Sequence, residues 1–130
     1  MSDDLAILDE IPDWFWQQID LARADRERFR QAVREMSRDD LIGFAQTYDL
    51  AAAEFRAEYY VEHVAPGLSE DSIDDIASWI VAQGRDHYVQ VLCDPRQMPT
   101  RVDSFDPALG IPSEVHREYH RRYQESLILL

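Results

Sequence analysis

Four carboxylates, Glu70, Asp71, Asp74 and Asp75, crowd into six consecutive residues. Oxygen donors of this kind suit hard cations such as Ca²⁺ or Mg²⁺. Their spacing lacks the alternating ligands of an EF-hand loop, and a helix start accounts for them without a metal. Ser72 reads as the cap, with Asp75 three positions on as its partner in a Ser-x-x-Asp box. Asp74 and Asp75 then fall in the first turn, where the helix dipole favours negative charge. His116 and His120 stand four apart, so on a helix both imidazoles share a face and could reach one Zn²⁺. The order HREYH is not the metalloprotease HExxH, because its acid, Glu118, is misplaced, and a third ligand would have to come from His87 or His63. Two surface histidines are the simpler reading.

Cys93, with His87 six residues earlier, sketches a thiol–imidazole pair. A nucleophilic thiol needs an accessible, electropositive site, and Asp94 is its neighbour, so a small or incidental side chain is the default. Gln83 and Arg85 near Trp79 form the last set. Arg85 could clamp a carboxylate or phosphate with two parallel hydrogen bonds, or bridge Asp86, Asp94 or a helix-end carbonyl. Asp71, Asp74, Asp75, Gln83 and Arg85 are therefore the candidate binding residues. No side chain is assigned to catalysis, to a metal or to a cofactor. There is no Gly-rich phosphate loop, Ser-His-Asp order or dinucleotide fingerprint.

The elements that position these residues read as helices throughout. Residues 1–11 form a loose acidic arm, and 12–130 a single domain. Pro12 and Asp13 open a first helix with Phe15, Ile19 and Ala22 inward and Trp14 and Trp16 at the core edge. Asp25 to Met36 continues or follows it, with Phe29, Val33 and Met36 on one face. Ser37 caps a long helix over 38–63, because Leu41, Phe44, Ala45, Tyr48, Ala52, Phe55 and Tyr59 keep helical spacing and no proline intervenes before the Pro66-Gly67 turn. Ile73, Ile76, Ala77, Ile80 and Val81 give the next stripe, Gly84 stops it, and Arg85–Cys93 restarts with Tyr88, Val91 and Leu92 inward until Pro95. Trp79 is expected in the core. Residues 94–112 are a Pro-containing loop, after which Ser113 caps a last helix with Val115 and Tyr119 inward. No strand pattern appears. The expected class is all-α, a bundle of five to six helices.

The net charge is −13, with every basic side chain an arginine. That excess disfavours nucleic acid, which needs a cationic face, and allows a basic protein partner. No apolar run is long enough to span a bilayer, and the acidic MSDDLAILDEIPD start is unlike a secretory signal. A single cysteine rules out an internal disulfide and fits a reducing cytoplasm.

The order Phe15-Trp16, Ile19, Ser37, Phe44 and then Ser69 through Trp79 to Gln83-Gly84-Arg85, Tyr88, Leu92 and Asp94-Pro95 resembles the bacterial domain-of-unknown-function family numbered 4240. The likeness spans about residues 13–97 and is most specific in WIVAQGRDHYVQVLCDP. It implies a small helical bacterial protein. Together these readings give a cytoplasmic, non-catalytic protein-binding module, of an immunity or antitoxin kind, for a basic partner. The alternatives are a metal-dependent enzyme using Glu70–Asp75 or His116 and His120, and a homo-oligomer joined through the apolar tail at residues 127–130.

Overall fold

The computed structural model describes residues 2–62 and 68–127, with side chains from Leu5 onward. Seven α-helices follow in order: α1 Asp13–Ala24, α2 Arg26–Glu35, α3 Arg38–Ala53, α4 Glu58–Val61, α5 Glu70–Ala82, α6 Arg85–Cys93 and α7 Ile111–Tyr123. Short 3₁₀ turns fill several joints. The described residues contain no strand, and the protein is all-α. No described helix is long and apolar enough to cross a membrane.

Helix starts follow side-chain chemistry. Asp25 breaks α1 from α2 with an extended backbone and accepts the Arg28 amide at 3.2 Å. Ser37 accepts the Asp40 amide at 3.1 Å and starts α3. At α5 the cap is Ser69, which accepts the Ser72 amide at 3.2 Å. Ser72, the expected cap, already lies in the first turn. Glu70 and Asp71 therefore hold the dipole-favoured positions, and Asp74 and Asp75 sit a turn further on. The last helix also starts earlier than Ser113. The 3₁₀ turn Pro107–Gly110 runs straight into it, and Pro112 occupies the first turn, where a missing N–H costs nothing.

The expected 38–63 helix divides. α3 tightens into the 3₁₀ turn Glu54–Arg56, Ala57 takes extended dihedrals, and α4 begins afresh. This resets the helical phase. Tyr59, expected inward, is 51% exposed, and Tyr60 is buried in its place. The exchange lets Tyr60 pack edge-on to Phe55, with centroids 5.0 Å apart, and donate to the Leu92 carbonyl at 3.3 Å. The Pro66-Gly67 turn lies outside the described residues.

Aromatic rings carry the core. Phe44, fully buried on α3, meets Phe15 at 5.0 Å, Phe29 at 5.8 Å, Tyr48 at 6.2 Å and Trp14 at 6.3 Å, joining α1, α2 and α3. Trp16 continues the chain of rings to Tyr88 at 5.2 Å, and Tyr88 to Phe55 at 5.0 Å. Three hydroxyls then reach backbone: Tyr48 to Ser78 O at 2.8 Å, Tyr88 to Ala51 O at 2.8 Å, and Tyr60 to Leu92 O. Burial raises the pKa of Tyr48 and Tyr88 well above the usual phenol value, so both stay neutral donors.

Both ends of the described residues are tied in. Ser2–Glu10 forms a 3₁₀ helix against α6, with Ile7 and Ile11 buried, so the acidic arm is not loose. Leu127 is buried within the core cluster and is part of the fold; residues 128–130 lie outside the described residues. Arg38 fixes the start of α3 to α7, with its guanidinium 4.9 Å from the Tyr123 ring and donating to the Tyr119 hydroxyl at 2.9 Å.

Because Phe44 is the ring shared by three helices, Phe44→Ala should destabilise the protein by about 3–5 kcal/mol. Urea denaturation followed by circular dichroism checks this. An unfolding midpoint equal to that of the parent chain would contradict the packing described.

Candidate functional site

The expected binding residues sit at the two ends of α5. Asp71 is exposed near its start, Asp74 pairs with Arg56 at 3.4 Å, and Asp75 is half-buried. Gln83 follows the other end and donates to the Trp79 carbonyl at 3.3 Å. A separation of twelve residues along a helix is roughly 18 Å, so the acidic end and the Gln83–Arg85 end do not form one site. Arg85 is exposed and makes no hydrogen bond or ion pair among the described residues. Between Gln83 and Arg85, Gly84 adopts φ 97°, a conformation that favours glycine, and a Cβ there would stand 3.2 Å from Arg23 Nη1 and Asp20 Oδ1, side-chain tips that would have to give by a few tenths of an ångström.

The other expected sets also separate. His116 is half-buried in a cavity shared with Asp74, Asp75, Tyr48 and Ser78, and burial lowers its pKa. His120 is exposed and faces a different groove. Among the described residues no three His, Cys, Asp or Glu side chains are grouped to hold a metal ion. His63 lies outside the described residues. Cys93 is exposed at the end of α6. His87 turns its ring edge-on to Trp79, with centroids 5.6 Å apart, and burial followed by the nearby Arg23 lowers its pKa. Trp79 itself is half-buried, not enclosed in the core as expected. Its indole N–H donates to Asp106 Oδ2 at 3.2 Å, pinning the 94–112 loop. It lines a cavity of about 500 Å³ with Gln83, Arg23, Arg26 and Ile111.

That loop is built from repeated carboxylate turns. Asp94, Asp103 and Asp106 each accept the amide two residues on, from Arg96, Phe105 and Ala108. Between the last two carboxylates stands Phe105, 90% exposed. Phe105 lines a cavity of about 460 Å³ whose opposite wall includes Ser72, Asp75 and Ile76 of α5.

A second feature escaped the residue-type reading. Glu114 and Glu118 on α7 are each only 7% exposed. Glu114 receives Arg30 Nε at 2.6 Å and Arg117 Nη1 at 3.3 Å, with Arg26 at 3.7 Å. Glu118 receives Arg121 Nη2 at 2.5 Å and Arg122 Nε at 2.6 Å. Arg122 also donates to the carbonyls of Val33, Arg34 and Met36, closing the end of α2. The signal was present in the sequence. Arg26, Arg30 and Arg34 recur every four residues, as do Glu114 with Glu118 and Arg117 with Arg121.

The hydrogen bonds from Arg121, and then from Arg122, hold the Glu118 carboxyl below its ordinary pKa. A carboxyl depressed in the folded state stabilises the fold above the unfolded value, about 4.5, and that contribution is lost as pH falls through the folded value. Glu118→Gln should therefore cost about 1–3 kcal/mol at pH 7, and less at pH 3.5. Urea melts of both chains at the two pH values test this; an equal gap at both would refute the assignment.

No curated protein and no solved structure matches this chain. A family match covers residues 12–121, so the likeness runs past the 13–97 span through the 94–112 loop and most of α7, taking in the buried glutamates. The chain belongs to the family described as protein of unknown function (DUF4240).

Proposed function

We propose that this chain is a non-catalytic binding module that recognises a basic protein partner through the acidic surface around Phe105. The observation that carries the reading is Phe105 itself, 90% exposed yet held in a fixed turn. Asp103 secures the Phe105 amide, and Asp106 is anchored to both Ala108 and Trp79. A large ring presented on a pre-ordered loop loses little freedom on docking, and aromatic anchors of this kind supply much of the binding energy of protein interfaces.

The neighbouring charges favour a basic partner. Asp75 shares the Phe105 cavity, and exposed Glu70 and Asp71 begin the same helix. Arg101 is the basic side chain lining that cavity, so carboxylates outnumber arginines around the ring. A partner meeting this surface must bring arginine or lysine around an apolar pocket, and long-range attraction to a chain of net charge −13 speeds the encounter. A compact acidic protein with no catalytic set suits the capping of a basic toxin, which makes an immunity or antitoxin role the specific form of this proposal.

Parent and Phe105→Ser chains, immobilised in parallel, test it. The parent should retain a basic protein that the variant loses. Retention should also fail at about 1 M salt, where the screening length is about 3 Å. Circular dichroism of the variant should match the parent, because so exposed a ring adds little to the packing of the fold. Equal retention by both chains would overturn the reading.

A further inference from the structure

The seam between α2 and α7 concentrates positive charge in a chain that is otherwise strongly acidic. A groove of about 470 Å³ is lined by Arg30, Arg34, Arg117, Arg121 and His120 around the buried Glu114 and Glu118. Arg26 and Arg122 reach the same two glutamates from beside it. Six arginines against Glu114, Glu118 and the Glu27 that pairs with Arg30 give the cluster a net charge of +3. The other seven arginines of the chain face twenty-three carboxylates, a net of −16.

The glutamates orient the cluster without exhausting its donors. Arg30 gives Nε to Glu114 and Nη1 to exposed Glu27, leaving Nη2. Arg117 gives Nη1 to Glu114, leaving Nε and Nη2. Arg121 gives Nε and Nη2 to Glu118, leaving Nη1. The Arg34 guanidinium makes no hydrogen bond among the described residues, although its backbone carbonyl is taken by Arg122. Four guanidinium groups thus converge on one concavity with unspent N–H groups, and the volume lies in the range of small-molecule sites.

We propose that the α2–α7 groove binds a small ligand bearing two or more phosphate charges. The charge decides the class. One carboxylate would leave most of a +3 cluster unbalanced, whereas a diphosphate group carries several charges and offers oxygens on every side to separate guanidinium forks. A nucleic-acid strand would have to pass from this groove onto surface with a net of −16, which repels it. The arginine stems and Val33 supply apolar wall for whatever the phosphates are attached to.

The probe is sodium pyrophosphate, titrated into the full chain by calorimetry, with sodium chloride at matched ionic strength as control. Saturable binding at one site per chain is expected, with chloride giving none. Arg34→Ala combined with Arg117→Ala should weaken binding at least about tenfold. Because Arg117 also donates to buried Glu114, the double variant melts lower, and binding is read at a temperature where circular dichroism shows it folded, whereas Arg34→Ala alone should leave the ligand-free melting temperature unchanged. Arg34→Gln alone gives a milder test of the same contact and should weaken binding by a smaller factor. ADP binding more tightly than pyrophosphate would support a nucleotide as the ligand, and equal affinity would support the diphosphate group as the recognised unit. Absence of saturable pyrophosphate binding, or undiminished binding by the double variant, overturns the proposal.

Discussion

An α-helix cannot satisfy its own last four carbonyls, and this fold closes three such ends with side chains distant in sequence. Arg122 closes α2 through Val33, Arg34 and Met36. Tyr88 takes the Ala51 carbonyl near the end of α3, and Tyr60 takes that of Leu92 near the end of α6. Each closure joins segments that the chain order leaves apart, so helix termination and tertiary packing are the same event. Replacing the hydroxyl or the guanidinium would leave a carbonyl short of a partner and loosen the helix pair together.

The Arg122 closure has an electrostatic consequence. A guanidinium largely withdrawn from water needs an anion, and Glu118 supplies it at 2.6 Å. A carboxylate that buried is unfavourable unless its remaining lone pairs are also met, and Arg121 meets them. One helical turn earlier on α7, Glu114 repeats the arrangement with Arg30 and Arg117. Nearly half of the arginines are thereby drawn to one seam, and the carboxylates elsewhere lose the cations that would have balanced them. The seam thus makes a cationic groove in a chain whose 26 carboxylates already outnumber its 13 arginines, and leaves the remaining surface more acidic still.

Regularity decided how much could be read from the sequence. α5 and α6 were legible because their apolar spacing is unbroken, and Gly84 marks the positive-φ joint between them. The joint at Ala57 was not legible. An Ala-Glu-Phe-Arg-Ala run carries no breaker, and the break is favoured by what Tyr60 gains from Phe55 and Leu92, contacts that arise only on packing. The choice of Ser69 over Ser72 as cap was ambiguous for a simpler reason: both are serines three apart, each with two acids among the next three residues, and only the path of the preceding chain selects between them. Of the candidate site residues, the types and positions were legible but not their separation, since α5 holds the acidic turn and Gln83 at opposite ends. The arginine ladder was written in four-residue spacing. It went unread because Arg and Glu on a helix ordinarily mean a solvated face, and burial of the two glutamates is a property of the α2–α7 contact, not of either helix alone.

Carboxylates that share a formal charge do not share a role. Asp94, Asp103 and Asp106 are occupied in turning the backbone, and Asp94 is further held by Arg96, which with the Arg96 amide keeps its pKa below the ordinary range. These three contribute to the net charge while also holding the backbone turns of the loop. Asp71 and Glu70 accept no side-chain hydrogen bond or ion pair among the described residues, and Asp75 stands across the cavity from Phe105. For the basic partner proposed above, α5 would supply the electrostatic attraction and the loop the position. Asp103 and Asp106 of the loop hold Phe105 in place, and the exposed acids at the start of α5 add negative charge to the same face, so rigidity and charge around the ring come from two different segments.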